Sequence, residues 1–138
     1  MIDGYRTSVQ LQLRFCDTDA LGHVNNARYL EYLELARLEY LRKCFGYTKL
    51  EQFNVILARV EIDYKSPLLH HEVADCGVKV ERIGGASFDM IYRIEERSTG
   101  RLVAQAKTVI VSFDYKANKV KKLDEETVKK MRDYDGIA

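Results

Sequence analysis

Polar and apolar residues alternate well in "RTSVQLQLRFC" near the start of the chain. Val9, Leu11, Leu13 and Phe15 fall on one side, and Ser8, Gln10, Gln12 and Arg14 on the other. A period of two predicts a half-buried strand. The polar cluster "CDTDALGHVNN", Cys16 to Asn26, interrupts it. From Asn26 the rhythm changes. "NARYLEYLELARLEYLRKCF" has no Gly or Pro and is rich in Leu, Ala, Glu and Arg, all good helix formers. Leu30, Leu33, Tyr40, Leu41 and Cys44 mark an apolar face, widened by Leu35, Leu38 and Phe45. A face that broad predicts a deeply buried helix. Asn25 or Asn26 suits its start, and Gly46 suits the left-handed residue after its end.

Four strand patterns follow. In "VILARVEIDYK" the residues Ile56, Ala58, Val60, Ile62 and Tyr64 share a face, and Pro67 ends the run. "EVADCGVKVER" places Ala74, Cys76, Val78 and Val80 together, and Gly84-Gly85 makes a turn. "SFDMIYRIEE" aligns Phe88, Met90, Tyr92 and Ile94. After "RSTG", the run "RLVAQAKTVIVSF" alternates less, as a central, covered strand would. "LDEETVKKMRDY" predicts a short final helix, capped by Asp124. The pattern defines one α+β domain over residues 1–138. Its antiparallel five-stranded sheet wraps around one long central helix, with a short C-terminal helix.

Composition narrows the function. Lys+Arg 22 against Asp+Glu 21 leaves a net charge of +1, which offers nothing to nucleic acid or to a membrane surface. No apolar run approaches the ~20 residues that span a bilayer. "MIDGYRTSVQ" lacks the order of a signal peptide, so a cytoplasmic protein is expected. Cys16, Cys44 and Cys76 have no metal-site spacing and are expected as buried or semi-buried free thiols. Glu34 and Arg37 are spaced for an ion pair on the helix. His70 and His71 fall in a turn, as solvated residues.

The polar cluster can be a turn with a helix cap, or a site. A helix N-terminus offers free N–H groups and a partial positive charge. Donors of that kind, aimed at a developing oxyanion, are often the largest catalytic term. Gly22 allows close approach to the backbone. An aspartate there can bond backbone N–H groups in an Asx-turn or do chemistry.

The element order, with "TDALGHVNNARY", resembles the hotdog-fold thioesterases, and within them the 4-hydroxybenzoyl-CoA thioesterase-like group of acyl-CoA thioesterases. "EIDYKSPLLHHE" resembles that family's second strand, with Tyr64 just before Pro67. The resemblance covers nearly the whole chain. It implies an acyl-CoA thioesterase that needs no metal or cofactor, because thiolate is a good leaving group. The family's catalytic carboxylate falls on Asp19, as nucleophile or general base, and its oxyanion donor on the Asn26 backbone N–H. Asp17 is then expected to hold the turn. "HVNN" is also similar to plant acyl-carrier-protein thioesterases, whose catalytic histidine maps to His23; those enzymes carry Asn where this chain has Leu21.

Gly22, Asn25, Tyr29, Leu33 and Tyr64 are the expected substrate-binding residues. Tyr29, Leu33 and Ala36 would line an acyl pocket with the sheet, and Tyr29 and Tyr32 would limit its depth. The competing readings are a non-catalytic acyl-CoA-binding hotdog module and a hotdog dehydratase or hydratase. The second would want a His paired with an acid, which "TDALGHVNN" fits poorly. One helix inside a sheet leaves a face and edges exposed, which favours pairing. The resemblance implies a homodimer or homotetramer.

Overall fold

A computed structural model describes residues 2–49, 52 and 54–137. In chain order the elements are β1 (Thr7–Leu11), α1 (Tyr29–Phe45), β2 (Val55–Tyr64), β3 (Ala74–Ile83), β4 (Ser87–Glu96), β5 (Leu102–Asp114), β6 (Lys119–Val120) and α2 (Glu125–Asp135). The five long strands run antiparallel in the order β1-β3-β4-β5-β2, and β6 adds two residues to β5. The sheet curls around α1, which packs on β1 and β3. The interior position of β5 agrees with its weaker alternation. Among the described residues, no helix is long and apolar enough to cross a membrane.

The stripe of α1 that enters the core is Tyr29, Tyr32, Leu33, Ala36, Tyr40 and Leu41, at helical spacings of three and four. Leu30, Leu35 and Leu38 stay exposed, against expectation. The sheet covers one side of the helix only, so the wide apolar face is half used. Asn25, not Asn26, caps the 3₁₀ turn Asn26–Arg28 that leads into α1, with its Oδ1 accepting from the Ala27 N–H at 2.9 Å. Gly46 ends α1 in the left-handed region at φ 72°. No ion pair joins Glu34 and Arg37. Arg37 reaches across to donate to the Tyr92 hydroxyl at 3.2 Å.

Two strands depart from their alternation. β1 ends at Leu11, and the chain turns through a 3₁₀ segment at Phe15–Asp17, which leaves Phe15 outside and Cys16 exposed. In β2 a bulge falls between Leu57 and Arg59. One extra residue moves every side chain before it to the opposite face. Leu57 thus pairs opposite the buried Ile110, while Ile56 pairs opposite Val111 and turns outward. The inner face of β2 is therefore Val55, Leu57, Val60, Ile62 and Tyr64. Leu57, Val60 and Tyr64 remain 44%, 36% and 44% exposed, because α1 does not reach the sheet edge.

The outer face of β3 is covered by the N-terminal segment. Tyr5 lies flat on Gly77, where an added Cβ would come within 2.8 Å of the ring. Gly77→Ala is expected to cost about 1–3 kcal/mol through overpacking. Removing Tyr5 as well should recover part of that loss, a non-additivity that thermal melts of the single and double variants measure. At the other end, Asp135 of α2 accepts from the Tyr40 hydroxyl at 2.7 Å and the Val80 N–H at 2.8 Å, docking α2 on α1 and β3.

Candidate active site

The polar cluster folds as two linked turns. The Asp19 N–H donates to the His23 carbonyl at 2.7 Å, and the Gly22 N–H to the Asp19 carbonyl at 3.1 Å. Gly22 sits at φ 79°, a conformation L side chains rarely adopt, although a Cβ there would meet nothing within 4 Å. Its requirement is backbone geometry rather than room. The Val24 N–H donates to the Leu68 carbonyl at 2.8 Å, and the Asn25 N–H to the Asp17 carbonyl at 2.7 Å. The loop is thus pinned to the segment after β2 and delivers the chain to the helix start.

The two aspartates have different surroundings. Asp17 is fully buried. Its carboxylate accepts from the Arg14 N–H at 3.1 Å, the Arg14 guanidinium at 2.9 Å and the Tyr32 hydroxyl at 3.0 Å, with the Arg28 guanidinium 3.7 Å away. Burial pushes its pKa up, but the Arg14 and Tyr32 hydrogen bonds outweigh that and hold it below the ordinary value. Asp17 therefore ties the segment after β1, the loop and α1 together. Asp19 is exposed, and it makes the Asx-turn: Oδ1 accepts from the Leu21 N–H at 2.9 Å and the His23 N–H at 3.2 Å. Oδ2 has no partner among the described residues.

A cleft of about 280 Å³ opens beside it. Asp19, His23, Asn26, Tyr29 and Tyr64 line it, all of them residues singled out in the sequence. Val24, Lys65, Ser66 and Pro67 complete it. Lys65 and Ser66 carried no signal beyond their place in the second motif. Of the other expected residues, Gly22 shapes the turn, Asn25 caps the helix, and Leu33 lies in the core at 1% exposure; none of the three lines the cleft.

One wall is aromatic. The Tyr29 and Tyr64 rings meet edge-on with centroids 5.1 Å apart, and the Tyr64 hydroxyl donates to the Asn26 carbonyl at 3.0 Å. Burial, with a smaller effect of Tyr64, pushes the Tyr29 hydroxyl up to about 12, so it stays protonated at neutral pH. The Asn25 cap satisfies the Ala27 N–H, and the Asn25 carbonyl accepts from Arg28. The Asn26 N–H has no acceptor among the described residues. Asp19 and the first residue of the turn that leads into α1, Asn26, thus line one opening, and neither Asp19 Oδ2 nor the Asn26 N–H has a partner among the described residues.

A curled antiparallel sheet around one helix, with a carboxylate loop delivering the helix N-terminus, is the hotdog fold of a thioester hydrolase. Residues 13–131 match the family model of the thioesterase-like superfamily, and the chain belongs to that superfamily. It is 28% identical over 124 residues to the long-chain acyl-CoA thioesterase FadM of Escherichia coli strain K12, spanning 88% of this chain and 94% of that protein. The crystal structure of a thioesterase complexed with coenzyme A and Zn from Thermus thermophilus superposes with a TM-score of 0.89 at 31% identity, over 99% of this chain and 100% of that one. A 1,4-dihydroxy-2-naphthoyl-CoA thioesterase from Synechocystis shares the fold, with a TM-score of 0.80 at 19% identity over 92% and 96% of the two chains.

Proposed function

We propose that this chain hydrolyses acyl-CoA thioesters to free acid and CoA. The observation that carries the reading is one cleft lined by both Asp19 and Asn26, whose Oδ2 and N–H have no partner among the described residues. Two backbone N–H groups fix Oδ1 and so aim Oδ2. With the thioester carbonyl oxygen on the Asn26 N–H, the donor gains strength as negative charge builds on that oxygen.

Asp19 then acts in one of two ways. As nucleophile, Oδ2 attacks the carbonyl carbon, the C–S bond breaks, CoA leaves as thiolate and a mixed anhydride remains for water to cleave. As general base, Oδ2 takes a proton from water, whose oxygen attacks in the same place, and the proton passes to the departing sulfur. His23 forms part of the wall and can polarise or orient the attacking water.

The exposed Leu30, Leu35 and Leu38 of α1 support association with a second copy, as a homodimer or a pair of dimers. The test is thiol release from a panel of acyl-CoAs of graded length, alongside sedimentation at micromolar concentration. Turnover by an oligomer is the expected result. Tight binding without turnover on the whole panel would favour the non-catalytic binding module, and a monomer would remove the association through Leu30, Leu35 and Leu38.

A further inference from the structure

Beyond the cleft, the inner face of β2 continues as an apolar track from Tyr64 through Ile62 and Val60 to Leu57. A chain of hydrogen bonds runs from α1 to the strand beside it, ending at Thr108 opposite Val60. Arg37 sits on α1 eight residues past Tyr29, about 12 Å along the helix at ~1.5 Å per residue. Thr108 of β5 lies opposite Val60, four residues from Tyr64, about 13 Å along the strand at ~3.3 Å per residue. The two elements thus put the same point at the same depth. There the Arg37 guanidinium donates to the Tyr92 hydroxyl at 3.2 Å, and that hydroxyl shares a hydrogen with Thr108 Oγ1 at 2.7 Å. Tyr92 and Thr108 are buried, at 2% and 1% exposure.

Arg37 is half-buried, and no carboxylate lies within ion-pair distance of it among the described residues. Arg14, Arg28, Arg97 and Arg101 each hold one. A guanidinium has five N–H donors, and Arg37 spends one on protein. A plain alkyl chain laid along the track would cover the remaining donors and leave them without water. An acyl chain ending in a carboxylate would satisfy two of them at once in a charge-assisted pair.

We propose that Arg37 is a specificity-determining residue that selects acyl groups with a carboxylate at their far end, about two helical turns from the thioester. This rests on the reading of the Asp19 cleft as an acyl-CoA site. Neutral oxygen acceptors at the same depth are weaker ligands of the same kind.

The experiment compares two medium-length acyl-CoAs of equal chain length, one ending in methyl and one in carboxylate. Each is tested on wild type, Arg37→Met and Arg37→Lys. Thiol release gives kcat/KM, and calorimetry with non-hydrolysable thioether analogues gives affinity independently of turnover. Wild type should favour the carboxylate-ended compound roughly tenfold or more. Arg37→Met should collapse that ratio to one or below, and Arg37→Lys should keep part of it, having charge without the planar fork.

A wild type that prefers the methyl-ended compound overturns the proposal. So does an Arg37→Met that lowers both compounds equally, or that dissociates the oligomer while leaving the ratio unchanged. The last outcome would assign Arg37 to a carboxylate of a second copy. Absent turnover with a preserved binding preference would refute only the hydrolytic reading of the cleft.

Discussion

Asp19→Asn should lower kcat by roughly 10²–10⁴-fold if the carboxylate is a general base. The loss should be larger if it is a nucleophile, because the covalent route disappears. The structure makes this a narrow substitution. The amide oxygen of Asn can still accept from the Leu21 and His23 N–H groups, so the turn is kept. What changes is the other atom: a free carboxylate oxygen becomes an NH₂ that can neither attack nor take a proton. KM should move little, since the Asn26 donor and the Tyr29–Tyr64 wall remain. The melting temperature should hold or rise, because a negative oxygen without a partner is removed. A single turnover with excess enzyme in ¹⁸O-water separates the two roles. Label recovered in the Asp19 carboxylate marks the anhydride route, and label in the product acid alone marks the water route. Near wild-type rates in Asp19→Asn would leave "CDTDALGHVNN" as a turn and cap with no chemistry of its own.

Element order, the long helix and the cluster at the helix start were legible because each rests on local pattern. A period of two, a period near 3.6 and a run of short polar residues are all visible within a dozen positions. The failures share a different cause. Ile56 does not share the face of Val60, Ile62 and Tyr64 that the alternation predicts, because a bulge has no mark in the alternation of side chains. Leu30, Leu35 and Leu38 looked like core because apolar spacing shows which residues can be buried, not how far the sheet reaches around them. Phe15 continued the pattern of β1 after the strand had already left the sheet. Asp19, His23, Asn26, Tyr29 and Tyr64 line one cleft, but Tyr64 is far from the others in sequence and only the family resemblance linked it to them. The Asx-turn, expected of Asp17, is made by Asp19. Arg14 and Tyr32, which hold Asp17, sit in a strand pattern and a helix pattern with nothing to mark them as partners.

Those partners set the second large effect. Asp17→Ala should cost about 2–4 kcal/mol, enough to lower the melting temperature by roughly 10 °C. It strips the acceptor from the Tyr32 hydroxyl and from the Arg14 N–H, and it leaves the Arg14 and Arg28 guanidinium groups with Glu31 as the one carboxylate they share. Arg14 and Arg28 can turn to solvent, which keeps the loss below that of a fully enclosed pair. Asp17→Asn should cost less, since its oxygen can still serve Tyr32 or Arg14 while its NH₂ faces a guanidinium.

The pH dependence separates lost charge from lost shape. Because the folded-state pKa of Asp17 lies below its unfolded value, the carboxylate contributes its full stability above the unfolded pKa of about 4 and loses it as pH falls through the folded one. The difference in unfolding free energy between wild type and Asp17→Asn should therefore be constant from neutral pH down to about 4 and shrink below that. Denaturant melts across that range measure it. Activity per folded molecule should fall as well, because the Asp17 carbonyl and carboxylate together seat the loop and the helix start that position Asp19 and Asn26. A difference that stayed flat down to a pH of about 2, or an Asp17→Ala as stable as wild type, would show that the buried carboxylate is not what fastens the segment after β1 and the site loop to α1.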